Sequence, residues 1–306
     1  MNASLRWGID LGGTKIEGVV ISPDSPTQPL ARLRVPTEQQ QGYRHILDQI
    51  EKLVQLLIEE VGSTPDRIGI GTPGALDPDS QTLKNSNTLC LIGKPLKADL
   101  EAQLGVPCIL ANDANCFALA EAKLGVVPAQ VPHADVVFGV IMGTGVGGGV
   151  VVGDRVLHGR HGIAGEWGHN FLDESGGPCY CGRVGCVETI LSGPSLERFY
   201  RTRSGQNRRL PEIIQRARAG NDPIAILTLD RLVTMFGKAL GPIINILDPD
   251  AIVIGGGVGN ISELYDLGRD HLARHVFNPH MATKILKPQL GDSAGVFGAA
   301  MLVANS

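Results

Sequence analysis

The chain has 306 residues, of which 43% are hydrophobic and 19% are charged, and its formal net charge is −4. This length fits two domains or lobes, and the composition is that of a globular protein and not of a disordered chain. The small net charge without a long basic run argues against nucleic acid or an anionic membrane as a partner, and the lack of a signal-like or membrane-spanning apolar run predicts a cytoplasmic location.

The first half of the sequence predicts a β-hairpin followed by α/β structure. The predicted elements are strands over 7–10, 16–22, 31–35, 67–72 and 106–110, and helices over 46–58 and 114–124. The first two strands flank the turn Gly12-Gly13, which is typical of a hairpin. Apolar residues recur at helical spacing between 46 and 58, and Gly62 is a plausible end for that helix.

The second half repeats this pattern. Its predicted elements are strands over 136–142, 147–152 and 251–254, and helices over 194–203, 210–219, 223–247 and 294–303. The first two strands again flank a glycine turn that carries a threonine. Two α/β halves that each open with such a hairpin are expected of the two-lobed actin-like ATPase (ribonuclease H-like) fold, with a central nucleotide and sugar cleft. We expect a smaller α/β domain over 1–118 and 292–306, and a larger one over 119–291.

Three glycine-rich turns at predicted strand ends indicate a nucleotide site. Adjacent glycines expose backbone N–H groups and let a phosphate approach closely, and Asp10 can orient Mg²⁺ or its waters. Any one of these turns alone could be an ordinary tight turn or a flexible loop. The predicted nucleotide residues are Asp10, Gly12, Gly13, Thr14, Lys15, Gly143, Thr144, Gly145, Gly255, Gly256 and Gly257.

The segment Asn112-Asp113-Ala114-Asn115 places a carboxylate where a buried strand ends and a helix begins. Phosphoryl transfer depends mainly on positioning and charge stabilisation, and one carboxylate suffices as the base that accepts a hydroxyl proton. The alternative is helix capping, for which Asp and Asn are favoured. Asp113 is therefore the candidate catalytic base.

A glycine-rich loop carries His169, Cys179, Cys181 and Cys186. Three thiols and one imidazole form a common tetrahedral zinc set. The alternatives are buried free thiols or a disulfide, although three cysteines cannot pair completely and a reducing cytosol disfavours pairing. Four protein ligands leave no open coordination position, so the predicted zinc is structural.

Two carboxylates flank the metal loop, Glu166 just before His169 and Glu188 just after Cys186. A metal loop would hold both rigidly, and rigid carboxylates suit the neighbouring hydroxyls of a sugar. The alternative is that they support the zinc ligands by hydrogen bonding.

Taken together, these motifs resemble the ROK (repressor, open reading frame, kinase) family of bacterial sugar kinases. The resemblance runs from Trp7 to nearly the C-terminus. Its carriers are 10–15, 71–74, 112–115, 143–149, 165–169, 179–188 and 255–257.

The resemblance implies that Asp113 is the base and that ATP with Mg²⁺ is the phosphoryl donor. It also implies that Val258 joins the last glycine turn near the adenosine, and that His169 turns one ring nitrogen to zinc and the other to the sugar. Members of the family usually form homodimers. The implied sugar contacts are Gly74, Asn87, Asn112, Asp113, Glu166, His169 and Glu188.

The leading expectation is a hexose kinase that acts on the 6-hydroxyl, with fructose or mannose favoured and glucose as a third candidate. Segments 164–170 and 179–182 favour fructokinase-type relatives. The alternative is an N-acetylglucosamine kinase, which segments 93–96 and 114–119 favour.

The sequence disfavours two other classes of protein. A transcriptional repressor is disfavoured, because only six residues precede Trp7 and a helix-turn-helix needs more. A non-catalytic actin-like scaffold would have no use for the metal loop and the paired glutamates.

Overall fold

A computed structural model describes residues 4–305. The strands of this described part are β1 (Arg6–Leu11), β2 (Lys15–Ile21), β3 (Pro29–Pro36), β4 (Ile68–Thr72), β5 (Ala75–Leu76), β6 (Leu83–Lys84), β7 (Cys108–Asn112), β8 (Val136–Met142), β9 (Val146–Val152), β10 (Arg155–Val156), β11 (Ala251–Gly255) and β12 (Lys284–Leu286). Its α-helices are α1 (Tyr43–Val61), α2 (Leu96–Leu104), α3 (Asp113–Lys123), α4 (Val126–Gln130), α5 (Glu188–Leu191), α6 (Gly193–Ser204), α7 (Leu210–Ala219), α8 (Pro223–Leu247), α9 (Leu267–Ala273) and α10 (Ala294–Leu302).

The contacts divide the chain into two compact units. The first runs up to Gln130 and adds Gly149–Ala164 and the segment from Gln289 onward. The second holds Val131–Gly148 and Gly165–Pro288. The domain limits at 118 and 291 that we expect from the sequence stay a prediction.

The first unit is built on a five-stranded sheet of order β3-β2-β1-β4-β7. The hairpin strands β1 and β2 are antiparallel, whereas β4 is parallel to both β1 and β7. Helix α1 buries its apolar face, and Leu53 and Leu57 both lie close to Gly18 of β2. Because β1, β4 and β7 run in the same direction, their carboxyl ends share one edge of the sheet, and this edge carries the candidate residues of the unit.

Helix α10 packs against β1, β4 and α3 through very close backbone contacts within the first unit. A Cβ atom at Gly298 would lie only 1.8 Å from the carbonyl oxygen of Cys116 in α3. At Gly69 of β4 the corresponding distance, to the carbonyl oxygen of Ala299, is also 1.8 Å. Small residues are therefore required where this helix meets the sheet and α3.

We expect Gly298→Ala to destabilise the protein by roughly 1–3 kcal/mol, because one methyl group would overpack this contact. In a chain of this size each kcal/mol lowers the unfolding midpoint by about 2–4 °C, which thermal denaturation measures. Gly257→Ala is the control: its Cβ would meet no atom within 4 Å and its φ is −61°. Equal midpoints for the two variants would contradict this account of the packing.

The second sheet has the order β10-β9-β8-β11-β12. Strand β11 is parallel to β8 and to β12, with Gly255 opposite Ile141. The carboxyl ends of β8 and β11 therefore lie side by side in the second unit, and the glycine turns that follow them are neighbours. Helices α6, α7 and α8 pack together in the same unit.

The strongly patterned elements agree with the sequence predictions. Strand β8 and helices α7 and α8 have the predicted bounds, and both predicted hairpins are present. The sequence did not predict the short elements β5, β6, β10, β12, α2, α4, α5 and α9. Within the described part of the chain, no helix combines the length and the apolar character needed to cross a membrane.

Candidate active site

The first glycine turn joins β1 to β2 and is held by the backbone on both sides. The N–H of Gly12 donates to the carbonyl of Lys15 at 3.0 Å, and the buried hydroxyl of Thr37 donates to the carbonyl of Gly12 at 2.6 Å. The side chains of Thr14 and Lys15 are exposed, and the Lys15 ammonium lies 3.5 Å from Glu17. The turn is thus held in place by hydrogen bonds and carries exposed polar side chains, as phosphate binding requires.

The buried Glu17 fixes the base of this hairpin. Arg32 and Arg34 of β3 both pair with its carboxylate. Burial alone would raise the pKa of Glu17, but hydrogen bonds from the two guanidinium groups outweigh it and lower the pKa. Glu17 therefore stays ionised and orders the strands that carry the turn.

Asp10 and Asp113 lie at the same edge of the first sheet. The strand register aligns Asp10 with Gly71 of β4, and Gly71 with Ala111 of β7, two residues before Asp113. Burial, and then the negative charges of Asp113 and Glu17, raise the pKa of Asp10 from 3.8 to about 6. Two carboxylates that repel each other in this way form a ready site for a divalent cation.

The raised pKa makes a stability prediction for Asp10→Asn. Since the folded-state pKa lies above the unfolded value, Asp10 favours folding most below pH 4, and this contribution is lost as the pH rises through 6. The upper bound is about 3 kcal/mol, at about 1.4 kcal/mol per pKa unit. Without Mg²⁺ the variant should therefore exceed the parent in unfolding free energy at pH 7, and match it near pH 4.

Denaturant titrations at the two pH values check this expectation. Asp24→Asn, which removes an exposed carboxylate from a loop, serves as the control and should leave the pH dependence unchanged. A parent that is more stable than Asp10→Asn at pH 7 in the absence of divalent cations would show that the carboxylate is not destabilising.

Asp113 begins α3, but the helix is capped by its neighbour. The side-chain oxygen of Asn112 accepts from the N–H of Asn115 at 2.7 Å, which is the N-cap hydrogen bond. The Asp113 carboxylate accepts from the adjacent N–H of Ala114 at 2.8 Å, and the residue stays in contact with solvent. The capping alternative therefore applies to Asn112, and Asp113 is left available for chemistry.

The surroundings of Asp113 strengthen it as a base. Although Asp113 keeps contact with solvent, the protein packed around its carboxyl group removes part of its hydration and raises its pKa, while hydrogen bonds from the N–H groups of Ala114 and Asp113 itself oppose that rise. A higher pKa means a greater proton affinity, as a general base near neutral pH requires.

Gly74 and Asn87 come together in the first unit. A Cβ atom at Gly74 would lie 2.6 Å from the carbonyl oxygen of Lys84 and 3.0 Å from the Cβ of Ser86, so only glycine fits here. The Thr72 hydroxyl donates to the Gly74 carbonyl at 2.8 Å. The side chain of Asn87 is exposed beside this turn.

In the second unit the glycine turns after β8 and β11 are packed together. Gly256 has a φ of +81°, and a Cβ there would lie 2.3 Å from the carbonyl oxygen of Met142. The N–H of Gly193 donates to the carbonyl of Gly143 at 2.8 Å, and the Gly193 Cβ position lies 3.9 Å from Val258. Gly143 and Val258, one from each of these two turns, therefore both lie beside Gly193, where α6 begins.

Glu188 is tied to the second glycine turn. One oxygen of its carboxylate accepts from the N–H of Val146 at 3.0 Å. This bond goes to the turn and not to a cysteine or His169, so it differs from the alternative in which Glu188 supports the metal ligands. The other carboxylate oxygen of Glu188 can accept from a sugar hydroxyl.

Glu166 and His169 are positioned by the residue between them. The indole N–H of the buried Trp167 donates to the carbonyl of Gly147 in β9 at 2.9 Å. The ring also makes an edge contact with Phe138 at a centroid distance of 6.1 Å. Trp167 thus anchors the turn that carries these two candidate side chains.

The four predicted metal ligands lie together in the second unit. The ligand atoms of His169, Cys179, Cys181 and Cys186 all lie within 4.8 Å of one another. The sulfur atoms of Cys181 and Cys186 are 3.6 Å apart, and the Cys179 sulfur is 3.6 Å from His169 Nδ1. A tetrahedral ion with Zn–S bonds of about 2.3 Å separates its sulfur ligands by roughly 3.7 Å. The donor set and its spacing therefore fit zinc.

The second ring nitrogen of His169 has a partner that the sequence did not indicate. His169 Nε2 lies 3.0 Å from the hydroxyl of Tyr180, and the two rings meet edge to face. The Tyr180 side chain is 83% exposed, so it lies at the surface of the metal loop. A sugar hydroxyl that binds to Nε2 would replace or share this hydrogen bond.

Sequence reasoning also missed Gly193 and Thr37. The segment Ser192-Gly193-Pro194 carries a helix-start signal, with Ser at the N-cap and Pro in the first turn, but nothing local connects it to the glycine turn after β8. Thr37 gave no signal at all, because its hydrogen bond to Gly12 joins residues that are brought together by β3.

Comparisons with known proteins agree with this geometry. The model of the ROK family matches residues 6–306. The N-acetyl-D-glucosamine kinase of Pectobacterium atrosepticum is 36% identical over 308 residues, which cover 97% of this chain and 98% of that protein. The N-acetyl-D-glucosamine kinase of Vibrio vulnificus is 35% identical, with 97% and 99% covered.

Solved structures are similar over nearly the whole chain. A ROK hexokinase from Thermus thermophilus gives a TM-score of 0.86 at 32% identity and covers 97% of both chains. A ROK family glucokinase from Streptomyces griseus, in complex with glucose and AMPPNP, gives 0.75 at 31% identity and covers 98% of this chain and 99% of that one.

These structures and the two strand–glycine-turn–strand motifs define an α/β protein of the actin-like ATPase fold, which confirms the predicted fold class. The chain belongs to the ROK family, as the resemblance in its motifs predicts.

Proposed function

We propose that this chain is an N-acetylglucosamine kinase that transfers the γ-phosphoryl group of ATP to the 6-hydroxyl of the sugar. The chain is an ATP-dependent sugar phosphotransferase of the ROK family; the choice of sugar is what we propose. The observation that carries the proposal is the similarity of 36% and 35% to two N-acetylglucosamine kinases over nearly full length. It favours the alternative considered from the sequence over the leading expectation of fructose or mannose.

A cavity in the first unit supports a substituted sugar. It has a volume of about 330 Å³ and is bordered by Asn112 and by Ala75, the residue after Gly74. Leu76 and Pro78 supply apolar wall, while Gln81 and other polar side chains supply hydrogen-bonding groups. An acetamido group needs an apolar contact for its methyl and polar contacts for its amide, and this cavity offers both next to two proposed sugar ligands.

In the proposed reaction Asp113 accepts the proton of the sugar hydroxyl while the hydroxyl oxygen bonds to the γ-phosphorus. The bond between the γ-phosphorus and the bridging oxygen breaks, and ADP leaves with that electron pair. The first two glycine turns, together with Lys15, hold the phosphates, and the third turn lies near the adenosine. Asp10 is the residue that would hold the Mg²⁺ of Mg-ATP or its waters, and the bound ion would neutralise charge on the phosphate oxygens.

We propose that sugar hydroxyls are bound by the side chains and backbone groups that the family resemblance implies. Of these, Glu188 is fixed by Val146, and Glu166 and His169 are fixed by Trp167. The full set is Gly74, Asn87, Asn112, Asp113, Glu166, His169 and Glu188. The nucleotide set is the one named from the sequence, including Val258.

We further propose zinc as the ion of the Cys₃His group, in a structural role. Its ligands span 169–186, between Glu166 and Glu188, so the ion would fix the loop that carries both carboxylates. The homodimer and the cytoplasmic location stay predictions.

The sugar preference is tested by a coupled ADP-release assay with Mg-ATP and a panel of N-acetylglucosamine, N-acetylmannosamine, glucose, mannose and fructose. We expect the highest kcat/KM on N-acetylglucosamine, at least tenfold above glucose. A higher kcat/KM on fructose or mannose would overturn the proposed acceptor and leave the kinase assignment intact.

The role of the cavity is tested by Leu76→Trp, which reduces its volume. This variant should raise the KM for N-acetylglucosamine by about tenfold, since a misplaced or lost apolar contact costs roughly 1–3 kcal/mol, and should change the KM for glucose little. Leu30→Trp, at a 53% exposed position of β3, is the matched control. Equal effects on both sugars would contradict a substituent pocket.

A further inference from the structure

A second cavity lies in the second unit, beside the metal loop and α6. Its volume is about 240 Å³, and three arginines line it: Arg198 and Arg203 of α6, and Arg231 of α8. Hydroxyl groups complete the lining, among them Ser175 and the buried Ser195. None of these residues belongs to the proposed nucleotide or sugar sets.

The arginines lack acidic partners. Among residues 4–305, no carboxylate lies within 4.0 Å of the guanidinium nitrogens of Arg198, Arg203 or Arg231. Asp173 acts on Arg231 only at longer range and through the Ser175 hydroxyl, which donates to it, and its carboxylate pairs directly with Lys238 at 3.2 Å. Three adjacent cations without a counter-ion attract an anion.

Two of the arginines are held in place by an aromatic ring. The guanidinium carbons of Arg203 and Arg231 each lie 4.7 Å from the centroid of the Phe199 ring. Stacking of this kind fixes the planar groups before a ligand arrives, so less side-chain entropy is lost on binding. Arg231 also donates to the Ser175 hydroxyl at 2.8 Å.

The like charges act on one another within the cavity. Burial, followed by the positive charges of Arg203 and Arg198, lowers the pKa of Arg231, while Asp173 opposes this shift. A bound anion would relieve that repulsion. Arginine forks match the geometry of phosphate oxygens, whereas the Ser175 and Ser195 hydroxyls already donate to Asp173 and to the Glu188 carbonyl.

Two residues that line this cavity donate hydrogen bonds to the backbone at Glu188, a proposed sugar ligand, and at Thr189. The Arg198 guanidinium donates to the carbonyl of Thr189 at 2.8 Å, and the Ser195 hydroxyl donates to the carbonyl of Glu188 at 3.0 Å. Glu188 is the first residue of α5. A ligand that binds to Arg198 and Ser195 would therefore shift the backbone that carries the Glu188 carboxylate.

We propose that this cavity is an effector site for a phosphate monoester or free phosphate, and that its occupation changes the affinity of the chain for its sugar. The ligand chemistry is a dianionic phosphoryl group, which a sugar phosphate and inorganic phosphate share. That the cavity binds a phosphoryl group does not depend on the proposed sugar, whereas its effect on sugar affinity rests on the proposed function.

Isothermal titration calorimetry of the zinc-loaded full chain tests the binding. N-acetylglucosamine 6-phosphate and inorganic phosphate are titrated separately, into the parent and into a double variant carrying Arg203→Gln and Arg231→Gln. The double variant should bind at least tenfold more weakly at one site, because it loses two guanidinium groups that form charge-assisted hydrogen bonds with phosphate. Arg201→Gln, on the same helix but outside the cavity, should bind like the parent.

The pattern across ligands separates the sources. If the double variant loses one of two bound equivalents of the sugar phosphate but binds inorganic phosphate like the parent, the ligand of the site is a phosphate monoester. If the double variant also loses binding of inorganic phosphate, the site recognises the phosphoryl group itself. Unchanged affinity of both ligands for the double variant would overturn the proposal. So would a changed sedimentation mass of the double variant with no loss of phosphate binding, since the arginines would then form a subunit contact.

The effect of phosphate on sugar affinity is measured as the KM for the sugar with and without added phosphate. We expect a change of at least threefold in the parent and in Arg201→Gln, and none in the double variant. If no sugar is phosphorylated at all, the proposed function fails and the calorimetric result still stands. If the sugar is phosphorylated and its KM does not respond to phosphate, the effector role is wrong.

Discussion

Asp113→Asn is expected to lower kcat by about 10²–10⁴-fold, the range that a positioned general base contributes. The KM for the sugar should change little, because asparagine has nearly the same shape and still forms hydrogen bonds. The fold should also remain intact, since the N-cap of α3 is Asn112 and not Asp113. Steady-state ADP release together with thermal unfolding measures these three quantities on one preparation.

A matched control is Asp79→Asn, which removes an exposed carboxylate that pairs with Arg160 at 2.9 Å. It should retain the kcat of the parent. Turnover of Asp113→Asn within a few-fold of the parent would show that another group accepts the proton. If the variant loses kcat and also unfolds at a clearly lower temperature than the parent, Asp113 is instead a structural residue.

Cys186→Ser is expected to release the metal and to lower the unfolding midpoint by roughly 10 °C or more. A structural zinc contributes its binding free energy directly to folding, and a loss of a few kcal/mol shifts the midpoint by about 2–4 °C per kcal/mol in a chain of this size. Activity should fall as well, because Glu188 lies two residues beyond Cys186 and its bond to Val146 depends on the course of the loop.

Elemental analysis and thermal denaturation measure both effects. We expect one zinc per chain in the parent and in Cys90→Ser, which changes a cysteine outside the group, and very little in Cys186→Ser. A parent that contains no metal after purification in a zinc-containing medium would refute the metal centre. So would a Cys186→Ser variant with an unchanged midpoint.

The sequence predicts the elements whose signal is local and long. Helix α8 repeats apolar residues over 25 positions, and β8 is an apolar run bounded by a glycine turn, so both have the expected bounds. Short elements such as β12 have little pattern of their own and form because a neighbouring strand, β11, offers hydrogen bonds. Their existence is decided by tertiary contacts, and no local window contains that information.

The candidate site likewise combines features that the sequence predicts with features that it does not. The candidate metal ligands are predictable from the sequence, because three thiols and one imidazole within one loop have few other uses. The capping role of Asn112, the bond of Glu188 to Val146 and the hydroxyl of Tyr180 near His169 depend on side-chain direction. Motif spacing carries no information on that direction, so the structure was needed to separate these roles.

The arginine cavity illustrates the same limit. Arg198 and Arg203 are close in sequence, but Arg231 joins them only because α6 and α8 pack together. In the sequence each arginine looks like an ordinary solvated residue on a helix. Only the missing counter-ions and the ring of Phe199 distinguish them from other surface arginines.

The most direct test of the central claim is the identity of the phosphorylated product. We would incubate the zinc-loaded chain with Mg-ATP and N-acetylglucosamine and follow the phosphorus NMR spectrum. The account predicts stoichiometric ADP and a phosphate monoester coupled to the two hydrogens at C6, formed about a hundredfold or more faster by the parent than by Asp113→Asn. Release of inorganic phosphate alone, or no reaction with any sugar of the panel, would contradict it.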